Sequence, residues 1–182
     1  MRKIASILAL VLILQACGTI SPRKQTPSEP TALALRTNSI TMEDLLRWPL
    51  EGVTGTEKLI QALDQLFEMK PLRASQFSGM GPVRLADGHF LSFAYVRILS
   101  GDIDIGLDPK SCVAPDWAAS LTGALLNPVF QDAHGVDRGK QYDAKGNGVI
   151  LRINTTPVTY RCVTAIHIHS PPKKLPTATR DP

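Results

Sequence analysis

Residues 82–108 read PVRLADGHFLSFAYVRILSGDIDIGLD, and their period of two sets the fold class. Pro82 to Ala86 lead into Asp87-Gly88, a dipeptide favoured in tight hairpin turns. From His89 to Leu99 both faces of the chain are apolar. Leu91, Phe93, Tyr95 and Leu99 share one face, while Phe90, Ala94, Val96 and Ile98 share the other. That pattern predicts a central strand covered on both sides. Ser100-Gly101 then turns the chain into Asp102–Asp108, where Ile103, Ile105 and Leu107 face inward and the aspartates face outward. Strands joined by such short turns pair antiparallel.

Helical signals lie on either side. Thr41-x-x-Asp44 opens a short apolar segment that stops at Trp48-Pro49. Thr54-x-x-Glu57 has the capping-box spacing, and Leu59, Ile60, Leu63, Leu66 and Phe67 follow at helical intervals before Pro71. Downstream, Pro115-Asp116 starts a small helix carrying Trp117, Leu121 and Leu125, which ends before Asn127-Pro128. Further strands are expected around 129–130, 141–143, 149–155 and 158–169. In the last of them Cys162 shares the core face with Val158, Tyr160, Ile166 and Ile168. The predicted fold is α+β: a single domain with an antiparallel sheet of five or six strands, two or three packed helices and one disulfide.

The 182 residues are 43% hydrophobic and 20% charged, which suits a packed globule. This composition excludes a collagen, a coiled coil and a polytopic membrane protein. Arg2 and Lys3 precede an apolar run from Ile4 to Leu14. The run is shorter than the ~20 residues of a spanning helix and fits the core of a signal peptide. It ends in Leu14-Gln15-Ala16-Cys17, which resembles the lipobox of bacterial lipoproteins. The resemblance covers the first seventeen residues and concerns processing. It implies removal of residues 1–16 and acylation of Cys17, whose thiol carries the lipid. Gly18, where an inner-membrane retention signal would place Asp, implies the periplasmic face of the outer membrane. Acyl chains at ~0.8 kcal/mol per buried CH₂ would make that anchoring permanent.

The expected organisation is a signal peptide over 1–16, an acylated and Pro/Ser/Thr-rich tether over 17–39, a globular domain over 40–169 and a disordered Pro-rich tail over 170–182. A tether of ~20 residues reaches about 25 Å as a coil. The formal charge of +4 belongs mostly to the ends. Without residues 1–16 there are 18 basic residues against 16 acidic; without tether and tail as well there are 12 against 14. A nucleic-acid binder carries its positive charge on a structured face, so no nucleic-acid partner is expected. With Cys17 assigned to lipid, Cys112 and Cys162 remain as an even pair. In an oxidising compartment they are expected to form a disulfide.

Catalytic signatures are missing from the sequence. Ser78 and Ser120 lack the Gly-x-Ser-x-Gly context, and Asp143 to Ile150 fails as a calcium loop because Lys145 stands where a ligand oxygen is required. Asp102, Asp104 and Asp108 read as a solvated acidic strand face. His167 and His169, two apart on one strand, point the same way and are the candidate metal ligands, with His89 or His134 to complete a site. No third ligand lies near them in sequence, so they read as polar residues on an exposed face, and neither metal nor cofactor is expected. Trp48 and Trp117 are expected to be buried. The chain is expected not to be an enzyme but a lipid-anchored periplasmic module that binds another envelope or secreted protein. Its sharpest form is an inhibitor or immunity protein against a toxin or cell-wall hydrolase, presenting loops such as 132–140. The alternatives are a structural lipoprotein of an envelope or secretion assembly, and an envelope hydrolase with a pocket gathering His134, His167 or His169.

Overall fold

Thr41 starts the first helix: its hydroxyl accepts the Asp44 amide at 3.2 Å, and the Asp44 carboxylate accepts the Thr41 amide at 2.9 Å. This reciprocal cap satisfies two donors that a helix start leaves unpaired. Helix α1 runs Met42–Arg47 and passes into a 3₁₀ turn, Trp48–Glu51, with Pro49 at its start. Helix α2 spans Val53–Phe67 and buries Leu59, Ala62, Leu63 and Phe67. Its N-cap is Gly52; the Thr54 and Glu57 of the expected capping box lie inside the helix instead. Helix α3, Pro115–Thr122, stops at Gly123 in the left-handed region, so Leu125 belongs to the following strand.

This computed structural model describes residues 39–127 and 131–171, which belong to one compact unit, Arg36–Pro182. The signal peptide, the lipobox with Cys17, residues 18–38, the strand expected at 129–130 and residues 172–182 lie outside the described residues.

Among the described residues eight strands form one antiparallel sheet: β1 Lys70–Arg73, β2 Gln76–Arg84, β3 Phe90–Arg97, β4 Asp102–Leu107, β5 Leu125–Asn127, β6 Gln141–Gly146, β7 Val149–Thr155 and β8 Val163–His169. Their order is β1-β2-β3-β4-β8-β7-β6-β5. The sheet is thus two four-strand meanders, each preceded by helix, joined where β4 pairs with β8. Helix α2 packs on β2 and β3, and α3 packs on β6 and β7. Beneath them lie Ala94, Val96, Ile103, Ile105, Leu151, Ile153, Ile166 and Ile168, each at most 2% exposed. Each such Ile or Leu stabilises the fold by about 1.5–3 kcal/mol. Gly79 of β2 lets α2 come close: a Cβ there would lie 2.2 Å from the Phe67 Cβ.

The α+β class and antiparallel sheet are as expected, with eight strands in place of five or six. Lys70–Arg73 is exposed at every position, and β2 contains Gly79, Gly81 and Pro82, so neither strand shows apolar alternation. The expected two-sided cover of β3 is also corrected. The register shifts between Leu91 and Phe93, placing Leu91 on the core side with Ala94 and Val96. Phe93 and Tyr95 therefore face away from the helices. Strand β8 begins at Val163, not at Val158. Val158 and Tyr160 have positive φ in a turn, so neither they nor Cys162 extend that strand's core face. Cys112 and Cys162 form a disulfide with Cα atoms 4.8 Å apart, linking the segment before α3 to the start of β8.

Candidate functional site

The sheet face opposite the helices is built by strand parity, because each residue that faces away from the core lines up with its partner on the next strand. Two rows of mostly polar side chains result. The first runs Tyr95, Asp104, His167, Arg152, Asp143 across β3, β4, β8, β7 and β6. The second runs Arg97, Asp102, His169, Ile150, Lys145 across the same strands. Phe93 stands beside them with its ring 5.3 Å from that of Tyr95. It lies over Gly106, where a Cβ would come within 2.2 Å of the ring. Met80, on the neighbouring strand, is 68% exposed. No described helix packs on this face.

The charges are organised. His167 Nδ1 lies 2.5 Å from Asp104 Oδ1, and His169 Nδ1 lies 2.7 Å from Asp102 Oδ1. Arg97 donates to Asp104 at 2.6 Å and reaches Asp102 at 3.5 Å. Ser100 donates to Asp102 at 2.6 Å. Arg152 forms a two-pronged pair with Asp143 at 2.8 and 3.0 Å, the fork geometry that suits a carboxylate. The His167 hydrogen bond holds the Asp104 carboxyl below its ordinary range against the opposing effect of burial, with Arg97 assisting. At Asp102 burial works upward, but the bonds from His169 and Ser100 and the charge of Arg97 outweigh it. The Arg152 bond likewise lowers Asp143, and Asp143 raises Arg152 in return.

At the turn after β3 the charged face meets an apolar cleft of about 570 Å³ between α2 and the β3–β4 hairpin. Val53, Ile60, Val96, Ile98 and Pro171 line it, while Glu57, Arg97 and Asp102 supply polar groups. Its volume falls within the span of ordinary ligand and anchor pockets. Arg97 and Asp102 belong to both cleft and face, so the two surfaces are continuous. Ile98 and Leu99 stand exposed beside it.

The loop expected to be presented, 132–140, is held from within. Asp132 accepts from the amides of His134 and Val136 at 2.9 and 3.0 Å and from Arg138 at 2.7 Å. Asp137 accepts from the Gly139 and Val158 amides at 2.8 and 3.0 Å and from the Tyr160 hydroxyl at 2.7 Å. The Tyr160 bond lowers Asp137 and raises the phenol. Asp137 thereby ties this loop to the turn between β7 and β8.

Placement of the other sequence candidates separates them. His167 and His169 share the open face, as their spacing predicts. His89 sits instead beside Asp87 at 3.0 Å, at the β2–β3 turn, and His134 is exposed on the 131–140 loop. Asp108 lies beyond β4 and accepts the Lys110 amide at 2.8 Å, so it leaves the acidic row. Among the described residues the cleft has no histidine in its lining, and no helix is long and apolar enough to cross a membrane. Trp48 is half-buried under the Lys58 ammonium at 3.8 Å. Trp117, expected to be buried, is 42% exposed on α3, because Pro115, Ala118 and Ala119 form that helix's inner face. The pairing of the histidines with Asp102 and Asp104 was hidden from the sequence, since β4 and β8 lie about sixty residues apart in the chain. Compared with family models, with curated proteins and with solved structures, the chain matches none.

Proposed function

We propose that the chain is a lipid-anchored, non-catalytic binding module that engages another envelope or secreted protein through its open sheet face and the adjoining cleft. In this reading Cys17 is acylated after removal of residues 1–16, and the domain is tethered at the periplasmic face of the outer membrane. Its action is that of an inhibitor or immunity protein, filling the cleft of a toxin or cell-wall hydrolase. The observation that carries the reading is the junction at the β3–β4 turn. There an apolar cleft rimmed by Arg97 and Asp102 opens at the edge of a hydrogen-bonded charge lattice. An apolar socket with a polar rim is the anatomy of a protein interface. The mutual hydrogen bonds fix these side chains before binding, which reduces the ordering cost. The disulfide and the internally bonded 131–140 loop add further rigidity. A disulfide fits an oxidising compartment such as the periplasm.

Photo-crosslinking side chains placed at Tyr95, at Ile98 and, as control, at Ser120 of α3 test this in the native envelope. The reading expects one predominant partner from Tyr95 and Ile98, weak capture from Ser120, and loss of the partner's enzymatic activity on mixing the purified proteins. A set of subunits with no activity to inhibit would select a structural role in an envelope assembly. Equal capture from all three positions would refute the surface assignment.

A further inference from the structure

The open face holds two histidines each backed by a carboxylate. His167 and His169 are neighbours on one face of β8, with Cα atoms about 6.7 Å apart by strand geometry. Asp104 and Asp102 stand opposite them on β4. An ionised carboxylate only accepts hydrogen bonds, so each contact requires the imidazole to donate from Nδ1. In the neutral ring this places the lone pair on Nε2. The side chains are 41% and 59% exposed, which leaves the outer edges of the rings open to solvent. Carboxylate, Nδ1–H and outward Nε2 together make the arrangement that orients histidine ligands around zinc and raises their basicity.

We propose that His167 and His169 bind one divalent transition metal of the imidazole-preferring kind, zinc or nickel, through their Nε2 atoms, with Asp104 and Asp102 as the supporting carboxylates. Zn–N bonds of about 2.0–2.1 Å require the two rings, at alternate positions of one strand, to lean toward each other when the ion binds. Among the described residues no group of three or more His, Cys, Asp or Glu surrounds an ion. The chain therefore contributes two ligands, and water fills the remaining positions at this exposed site. The surrounding charge permits a cation. From β3, Arg97 is engaged by Asp102 and Asp104. From β7, Arg152 is directed toward Asp143 on β6, and Lys145 pairs with Ile150 two strands from His169. The inference is independent of any protein partner.

Isothermal titration of Zn²⁺ and Ni²⁺ into the full chain carrying Cys17→Ser, which removes the thiol outside the disulfide, tests it at pH 7.5. The expected result is one saturable site per chain, lost in His167→Ala and in His169→Ala and unchanged in His89→Ala and His134→Ala. Asp104→Asn keeps both imidazoles and is expected to weaken affinity by roughly 10- to 100-fold, the usual effect of removing a supporting carboxylate. Imidazole ¹⁵N spectra of the metal-free protein are expected to show protonation at Nδ1 in both rings. No saturable binding, binding that survives loss of both histidines, loss of binding in His134→Ala, or protonation at Nε2 with a bare Nδ1 would each overturn the proposal.

Discussion

Replacing Asp104 with Asn probes the charge lattice at its most connected point. The carboxylate accepts from His167 at 2.5 Å and from Arg97 at 2.6 Å, and its side chain is only 19% exposed. Hydrogen bonds involving a charged group contribute about 1.5–3 kcal/mol. Both partners are more than 40% exposed, so water recovers much of what they lose. Exposed ion pairs add only about 0–1 kcal/mol. The expected loss is therefore about 1–2 kcal/mol, or about 4–7 °C in Tm for a domain of about 130 residues. The pH dependence has a fixed sign. The folded-state carboxyl is held below its ordinary value, so its contribution is complete above the unfolded pKa and disappears as pH falls through the folded one. Urea denaturation of wild type and Asp104→Asn from pH 7 downward should show a gap at neutral pH that closes in acid, where Asp104 is protonated and resembles Asn. A variant as stable as wild type at pH 7, or a gap that persists undiminished at pH 2, would refute the reasoning.

The remaining expectations concern the disulfide, the helix contact and the anchor. Removing the disulfide as Cys112→Ala/Cys162→Ala opens a loop of 50 residues. It should cost roughly 4 kcal/mol on the chain-entropy argument, and urea midpoints of the two proteins measure it. Gly79→Val drives a side chain into Phe67 and should destabilise by about 1–3 kcal/mol or prevent folding; Ser78→Val on the opposite face is the control that should remain soluble. Mass spectrometry of native material should find residue 17 as the acylated N-terminus, and a Cys17→Ser protein should keep its leader and take up no labelled fatty acid.

Strands whose apolar residues alternate plainly were legible. β4 and β7 show Ile103, Ile105, Leu107 and Val149, Leu151, Ile153, each buried by the single helical layer. The edge was illegible because β1 buries nothing and β2 substitutes glycine where α2 approaches. At Ser92 a bulge reversed the parity of Phe93 and Tyr95, so aromatic residues that read as core stand half-buried on the outer face. The acidic row and the His-x-His pair were each visible alone. Their union was not, because pairing between distant strands leaves no local signal. The cleft was equally hidden, since α2, the β3–β4 turn and Pro171 converge only in the folded chain.

That union depends on register, which connects the site to the disulfide. β4 and β8 are the last strands of two meanders, and bringing them together closes a long loop. A slip of one residue at this junction would turn His167 and His169 toward the helices and expose Ile166 and Ile168. Burial of the isoleucines resists the slip, and the covalent link resists it too. Cys112 lies five residues beyond β4, and Cys162 immediately precedes β8. At the same end, the Val163 amide donates to the Val113 carbonyl at 2.9 Å. The bond thus holds the chain where the two halves meet, restricting which residues of β8 can face Asp102 and Asp104. Reduction would loosen the junction that aligns the carboxylates with the histidines, so the open face is best organised in a compartment that keeps the disulfide oxidised.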